Sequence, residues 1–488
     1  MKRLPRLVCL FALLVPCAVA RADLRSEVDA LLADRLLKRA VVGVEVIRLG
    51  AQPAGDVPLY RRDAQVPLIP ASNLKLLTTA AALHKLGADF KFRTSMLVGE
   101  LDVALAGGGD PSFGDAEFLR PVGWDVTTVF ESWADQIAKR GITSVRDVVV
   151  DDAIFDEAFL HPNWPADQVH KRYVAEVGGF NLNANVLEFA VRSTNYGEVA
   201  TYATSPDTAY ASVRNTCVTG DDNAIWLSRE LGTNQIILRG ETPGRAAQVN
   251  VAVTVHDPPM YAATVFAEVL RRKGVAVTGT VRRDRTLQAS RRAGGAPDRW
   301  RVLAIHETPI TTVLERANKD SVNVYAESLC KRLGFEATGT SGSWANGTAA
   351  MGEFLKSIGV AESEFKLDDG CGLSKQNGIS AGAVARILTH NFHGPHADLF
   401  RDTLAVAGVD GTMQDRFRGT DLKGRVFAKS GYVNNVRALS GYLHTLDGQR
   451  YAFSILMNRV PESPEIKVIQ EKIVKAIDDH AATFAAGQ

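Results

Sequence analysis

The sequence predicts an α/β-type (α+β) fold in which helices and strands at both ends of the chain enclose a long β-rich interruption. Three features predict it. Alternating apolar positions at 41–47 and 57–60 lead into a helical repeat near residue 74. Short strand-like runs separated by Gly, Pro, Asp and Asn turns fill residues 91–302. Long helical and strand patterns return after residue 303.

Taken in order, VVGVEVI (41–47) alternates as a strand, and a second strand near 57–60 follows a Gly/Pro-containing turn. Pro70-Ala71-Ser72 opens NLKLLTTAAALHKLG, in which Leu74, Leu77 and Ala81 recur at helical spacing and Gly87 ends the helix. Between 91 and 302 the runs VRDVVVDDAIF, LEFAVRS, TNQIILRG and VNVAVTV read as strands, interrupted by one helix at about 260–273. Residues 282–301 are polar, basic and poor in large apolar side chains, so they read as an exposed loop. After 303, PITTVLERANKDSVNVYAESLCKRL, GTAAMGEFLKSIG and ISAGAVARILTHNF are helical, and 426–429, 439–446 and YAFSILMN are strands. The last helix, 465–484, places Ile466, Ile469, Ile473 and Ile477 on one face, a core-packing pattern. The expected organisation is a leader at 1–22, one domain built from 23–90 with 303–488, and one or two β-rich subdomains inserted at 91–302.

Composition narrows the function classes. Lys plus Arg number 56 against 55 Asp plus Glu, a net charge of +1, and no run of like charges forms a nucleic-acid arm. Lys2, Arg3 and Arg6, the apolar run 7–20 and the small residues Ala18, Ala20 and Ala22 have the form of a cleaved secretory signal. That run is shorter than the about 20 apolar residues of a membrane span. Pro16 before Cys17 fits a lipidation box poorly, so no stable membrane anchor is expected. Beyond the leader, Cys217, Cys330 and Cys371 remain, an odd count that is no disulfide framework; a Cys330–Cys371 bridge stays open.

The chemistry starts at Ser72 and Lys75. A serine hydroxyl is a weak nucleophile that requires a base, and three residues of helix put both side chains on one face. The spacing is weakly specific, because Ser328/Lys331 and Ser363/Lys366 also satisfy S-x-x-K. Only Ser72 opens a helix after a proline turn, where free backbone N–H groups favour a developing oxyanion. Ser321-Val322-Asn323 lies in a helical connection. Lys429-Ser430-Gly431, the one Lys-[Ser/Thr]-Gly of the chain, ends a strand. A second S-x-N occurs at Ser193–Asn195. S-x-x-K, S-x-N and K-[ST]-G in that order are the joint signature of serine β-lactamases and penicillin-binding proteins.

With these motifs the chain resembles the class C low-molecular-mass penicillin-binding proteins, the D-alanyl-D-alanine carboxypeptidase/endopeptidase family. PASNLKLLTTAAAL, GGGDPSFG, FNLNANVLEFAV, DGCGLSKQNGIS and AGVDGTMQDRF add to the resemblance, which spans essentially the whole chain after the leader. It implies a serine-transpeptidase/β-lactamase-like domain of helices on an antiparallel sheet, a periplasmic enzyme, peptidoglycan stem peptides as substrate and β-lactams as covalent inhibitors. It implies Ser72 as nucleophile, Lys75 as its base and Ser321 as proton relay. Asn323, Lys429, Ser430, Gly431 and Tyr432 would bind substrate, with the Tyr432 N–H in the oxyanion hole. Val322 stands where the family often has Asp, Ser430 where it has Thr, Tyr432 where Thr is common, and Cys371 where a Ser is common. No cofactor or metal is expected. GGGDPSFG lacks the Lys of a phosphate loop, and His390, His393 and His396 straddle a helix end. A serine β-lactamase would share Ser72 and Lys75, but the long insertion between motifs favours a cell-wall peptidase. A noncatalytic binding protein would have no need to keep every group of the site. Removal of 91–302 is expected to leave acylation by penicillin intact and to abolish action on cross-linked polymer.

Overall fold

A computed structural model of the chain describes residues 23–245, 248–287 and 300–485. The expected leader and residues 288–299 of the 282–301 loop lie outside the described residues.

Both ends of the chain meet in one six-stranded antiparallel sheet. Its spatial order is Ala405–Val406, Val426–Val433, Val436–His444, Arg450–Asn458, Val41–Leu49 and Val57–Arg62. Side chains alternate between the two faces with period two, and both faces are buried. From Arg450–Asn458, Tyr451, Phe453, Ile455 and Met457 pack with Leu24–Leu32 and with Ile466, Ile469, Ile473 and Ile477 of the closing helix Glu465–Ala485. Ala452 and Leu456 turn the other way, onto Leu74–Leu86 and Ala381–Phe392. Among the described residues no helix is long and apolar enough to cross a membrane.

The chain leaves this unit along Lys91–Val98 and returns along Arg301–Pro309. These two strands pair antiparallel from Lys91 opposite Pro309 to Val98 opposite Arg301, so exit and re-entry are neighbours. They continue into a five-stranded sheet with Val103–Ala106, Val148–Asp151 and Val281–Arg283, followed by smaller sheets around Val186–Arg192 and Gln235–Pro243. The region is not interrupted by one helix alone. Besides Pro258–Arg272 it contains Thr128–Ala138, whose Val129, Phe130, Trp133, Ala134 and Ile137 are buried at helical spacing against that same helix. The period was present in TVFESWADQIA, and Thr127 stands at the N-cap position although its side chain makes no cap hydrogen bond.

Two further departures bear on the site. The run 309–333 is not one helix: Ile310–Asn318 and Asn323–Thr338 are separated at Ser321, whose φ is +62°. A non-glycine residue held there costs on the order of 1–3 kcal/mol, which surrounding contacts must offset. Residues 154–177, inside the inserted stretch, fold back onto the first unit. Ile154, Phe155, Trp164, Val169, Val174 and Val177 share a core with Leu74, Leu77, Leu329 and Trp344.

Candidate active site

Ser72 lies in the single turn Ala71–Asn73 that runs straight into Leu74–Leu86. Residues 74–83 of that helix are all buried, so it is the central helix, and the half-buried Ser72 stands at its N-terminal end. One turn on, Lys75 is fully buried. Its Nζ is 3.0 Å from Ser72 Oγ, 2.8 Å from Asn323 Oδ1 and 2.9 Å from the Cys371 carbonyl. The amide oxygen and the carbonyl accept only, so they take two N–H bonds. The third neighbour is a hydroxyl that can donate as well as accept. An ammonium meets that set by donating to the hydroxyl, and a neutral amine by accepting from it. Burial holds Lys75 below its ordinary pKa, while the charges of Glu327 and Asp369 act in the opposite direction.

Lys429, also fully buried, donates to Ser321 Oγ at 2.8 Å and to the Ser430 carbonyl at 2.9 Å. Burial first, and then the charge of Lys75 when that amine is protonated, push it well below the usual lysine range. The strand carrying it approaches the serine turn so closely that a Cβ on Gly431 would come within 2.8 Å of the Pro70 carbonyl. Asn73 locks the approach: its amide nitrogen donates to the Lys429 carbonyl at 2.8 Å and its oxygen accepts from Ser440 Oγ at 2.7 Å. Tyr432, at 60% exposure, projects outward under Arg437, whose guanidinium lies 4.1 Å from the ring centre, and donates to Glu462 at 3.2 Å. Its side chain has left the site and only its backbone remains in line with Gly431. The three motifs thus converge, although Ser72 and Ser321 lie on opposite sides of residues 91–302.

Over residues 24–480 the chain matches the family described as D-Ala-D-Ala carboxypeptidase 3 (S13). The chain belongs to this family. A D-alanyl-D-alanine carboxypeptidase of Actinomadura sp. (strain R39) is 34% identical, over 94% of this chain and 85% of that protein. The D-alanyl-D-alanine carboxypeptidase DacB of Haemophilus influenzae is 22% identical over 80% of each. The crystal structure of penicillin-binding protein 4 from Haemophilus influenzae has a TM-score of 0.76 at 21% identity and covers 93% of this chain and 99% of that one, so the fold is shared.

In this S13 peptidase the Asp369–Ser374 loop forms the floor under Lys75. Gly372, at φ +85°, passes so close to the serine turn that a Cβ there would lie 1.9 Å from the Ala71 carbonyl. Asp369 ties the loop to itself by accepting from Gly372 N (2.7 Å), Ser374 N (2.7 Å) and Asn377 Nδ2 (2.8 Å). Cys371 is a buried free thiol, as is Cys330; burial and the Asp369 charge raise the Cys371 pKa far above the ordinary thiol value, so it carries no nucleophilic thiolate. Glu327, Asp369 and Cys371 cluster closely enough for a metal. Every carboxylate oxygen of the pair, however, already accepts from an N–H donor, so the donor set fits hydrogen bonding and not an ion.

The inserted stretch contributes directly, which no motif signalled. The Tyr173 carbonyl accepts from Asn323 Nδ2 at 2.7 Å, and Trp164 Nε1 donates to Asp369 at 2.9 Å. Asn163 Nδ2 reaches Asp368 at 2.9 Å, and His161 Nε2 lies 2.8 Å from the Asp368 carbonyl. Both atoms of the Asn323 amide are therefore engaged, one by Lys75 and one by Tyr173, where the sequence reading assigned it to substrate alone. Excision of 91–302 should consequently not be benign. Removing Tyr173 and Trp164 frees Asn323 and the 369–374 loop, and acylation by penicillin should fall at least roughly tenfold, since misplacing a reacting group by about 1 Å can cost 10²-fold. Circular dichroism with penicillin labelling of the folded fraction checks this; wild-type labelling would show that the contacts are dispensable.

The competing motifs are placed elsewhere. Ser328 is fully buried and Lys331 is paired with Asp156 at 2.8 Å; Ser363 is exposed and Lys366 meets Gln376 at 3.4 Å. Asn195 bonds Glu198 within the insertion. His390 packs edge-on against Phe354 and His84, whereas His393 lies 3.0 Å from Asp56.

Proposed function

We propose that this S13 enzyme is a penicillin-sensitive serine D-alanyl-D-alanine carboxypeptidase that works in the periplasm on peptidoglycan stem peptides through a Ser72 acyl-enzyme. Endopeptidase cleavage of cross-linked peptides would be the same chemistry with a larger leaving group. The observation that carries the reading is the Lys75 amine, held by two carbonyl-type acceptors with Ser72 Oγ at 3.0 Å.

Lys75 takes the hydroxyl proton as Ser72 Oγ attacks the carbonyl between the two D-alanines. The N–H groups of Ser72 and Tyr432 receive the oxyanion. The proton taken up by Lys75 passes through the Ser321 hydroxyl, hydrogen-bonded to Lys429, to the leaving amine, so D-alanine departs and Lys75 and Ser321 return to their starting forms. Water then adds to the ester and releases the shortened peptide and free Ser72. Lys429 and Ser430 meet the terminal carboxylate. The incoming anion supplies the opposite charge that favours protonated Lys429 in its buried position. Gly431 admits the close approach of strand and serine turn. We place the peptidase domain at 23–90 and 303–488 and the insertion at 91–302; the Lys91–Val98/Arg301–Pro309 neck supports that division, except that residues 154–177 join the core of the peptidase domain.

Mass spectrometry of purified muropeptides after incubation tests the function. Pentapeptides should lose one D-alanine, and loss of cross-linked dimers would add endopeptidase action; unchanged muropeptides would refute both. Lys429→Ala should lower kcat/KM by roughly 10- to 100-fold for the free-acid peptide, the size of a charged hydrogen bond, and far less for an ester-capped analogue. Equal losses on both substrates would move Lys429 from anchoring the carboxylate to the chemistry itself.

A further inference from the structure

The proposed mechanism makes no use of Glu327, a fully buried carboxylate on the helix Asn323–Thr338. It lies four residues after Asn323, so the two side chains share one helix face. Asn323 accepts from Lys75 directly. Glu327 reaches the second acceptor of the same lysine from behind. Its oxygens accept from Gly370 N at 3.0 Å and Cys371 N at 2.6 Å, and the Cys371 carbonyl accepts from Lys75 at 2.9 Å. Trp344 Nε1, at 2.6 Å from Oε2, fixes the carboxylate from the far side. One helix face therefore determines where both fixed acceptors of Lys75 stand.

We propose that Glu327 is a positioning residue for acylation: through the Gly370 and Cys371 amides it holds the Cys371 carbonyl, and so the Lys75 amine, against Ser72. It does not touch the reacting atoms. Its charge also bears on the lysine, which faces Glu327 from the helix, Asp369 and the Cys371 thiol from the loop, and Lys429 from the neighbouring strand. Burial, then the Asp369 charge, push the Glu327 carboxyl up to about 7, and its charge, where ionised, favours protonated Lys75. The inference rests on the reading of Lys75 as the base for Ser72.

The test is the pH dependence of penicillin acylation in Glu327→Gln and Glu327→Asp, measured on the full chain with unfolding followed by circular dichroism. Glu327→Gln sets an NH2 group against N–H donors whichever way the amide turns, Gly370 N together with either Cys371 N or Trp344 Nε1, and removes the charge. Its plateau rate should fall about tenfold to a hundredfold from misplacement of the amine. The acid limb of its profile should move to lower pH by roughly one unit, because the carboxylate no longer favours protonated Lys75. Glu327→Asp keeps the charge but is one methylene shorter, so its plateau should fall while the limb stays in place. Should Glu327→Gln not fold, the Glu327→Asp profile decides alone. A wild-type rate in either variant overturns the proposal, and so does a fall in Glu327→Gln that is equal at every pH with the limb unmoved, which is what a merely structural role gives. Absence of labelling in the unaltered chain would instead overturn the acyl-enzyme reading on which the inference rests.

Discussion

Ser72→Ala should take up no penicillin, whereas the unaltered chain should be acylated to one penicillin per molecule, with the label on Ser72. The β-lactam carries a carboxylate, an amide and a strained carbonyl in the arrangement of D-alanyl-D-alanine, so it should meet the same Lys429 and oxyanion donors and stop at the ester. Of the three S-x-x-K serines, Ser72 alone combines partial exposure with a buried amine at 3.0 Å. Ser328 has no exposure at all, and Ser363 stands on an exposed turn whose lysine is turned toward Gln376. Intact-mass measurement followed by peptide mapping reads the result. A label that survives in Ser72→Ala, or that maps to Ser328 or Ser363, would remove the nucleophile from the mechanism.

Lys75→Ala should slow acylation by roughly 10³-fold or more, as expected for loss of a general base. Its pH dependence follows from the direction of the shift. Burial lowers the Lys75 pKa, so the deprotonated, proton-accepting form is populated closer to neutrality than for a free lysine and is lost as the pH falls. Acylation of the unaltered enzyme should therefore rise with pH, and the residual rate of Lys75→Ala should lack that rise. Stopped-flow labelling with a chromogenic cephalosporin measures both. A near wild-type rate in Lys75→Ala would leave Ser72 without its base and return the assignment to Lys429, the other buried amine of the site.

How the two lysines divide their work could not be read from spacing. On the motif spacing alone, either burial or a neighbouring positive charge, with Lys429 as the candidate, would lower the Lys75 pKa. In the folded chain the first cause is burial, and the nearby carboxylates act the other way; the charge of Lys75 is felt by Lys429. Burial of a side chain depends on what packs over it, and here that includes a loop nearly 300 positions away in sequence.

The sequence alone determined the local features. Period-two strands, the buried helix after Ser72, the amphipathic closing helix and the motif residues Ser72, Lys75, Ser321, Asn323 and Lys429 were legible because each is written within a few neighbouring residues. Tertiary structure decided what depends on distant partners. The N-terminal strand Val41–Leu49 takes its place beside Arg450–Asn458, and the break at Ser321 turns its hydroxyl to Lys429. Residues 154–177 leave the insertion to complete the core, bringing Trp164 and Tyr173 to Asp369 and Asn323. Nothing local marks Trp164 or Tyr173, since each acts through a single hydrogen bond to a group far along the chain, one of them from a backbone carbonyl that no side-chain identity encodes. Glu327 was half-legible: its spacing from Asn323 set the shared face, but only the fold placed the Gly370 and Cys371 amides in front of it. Helical and strand periods report which face of an element is apolar; which residues meet across that face is set by long-range packing, and the chemistry of this site is made of such meetings.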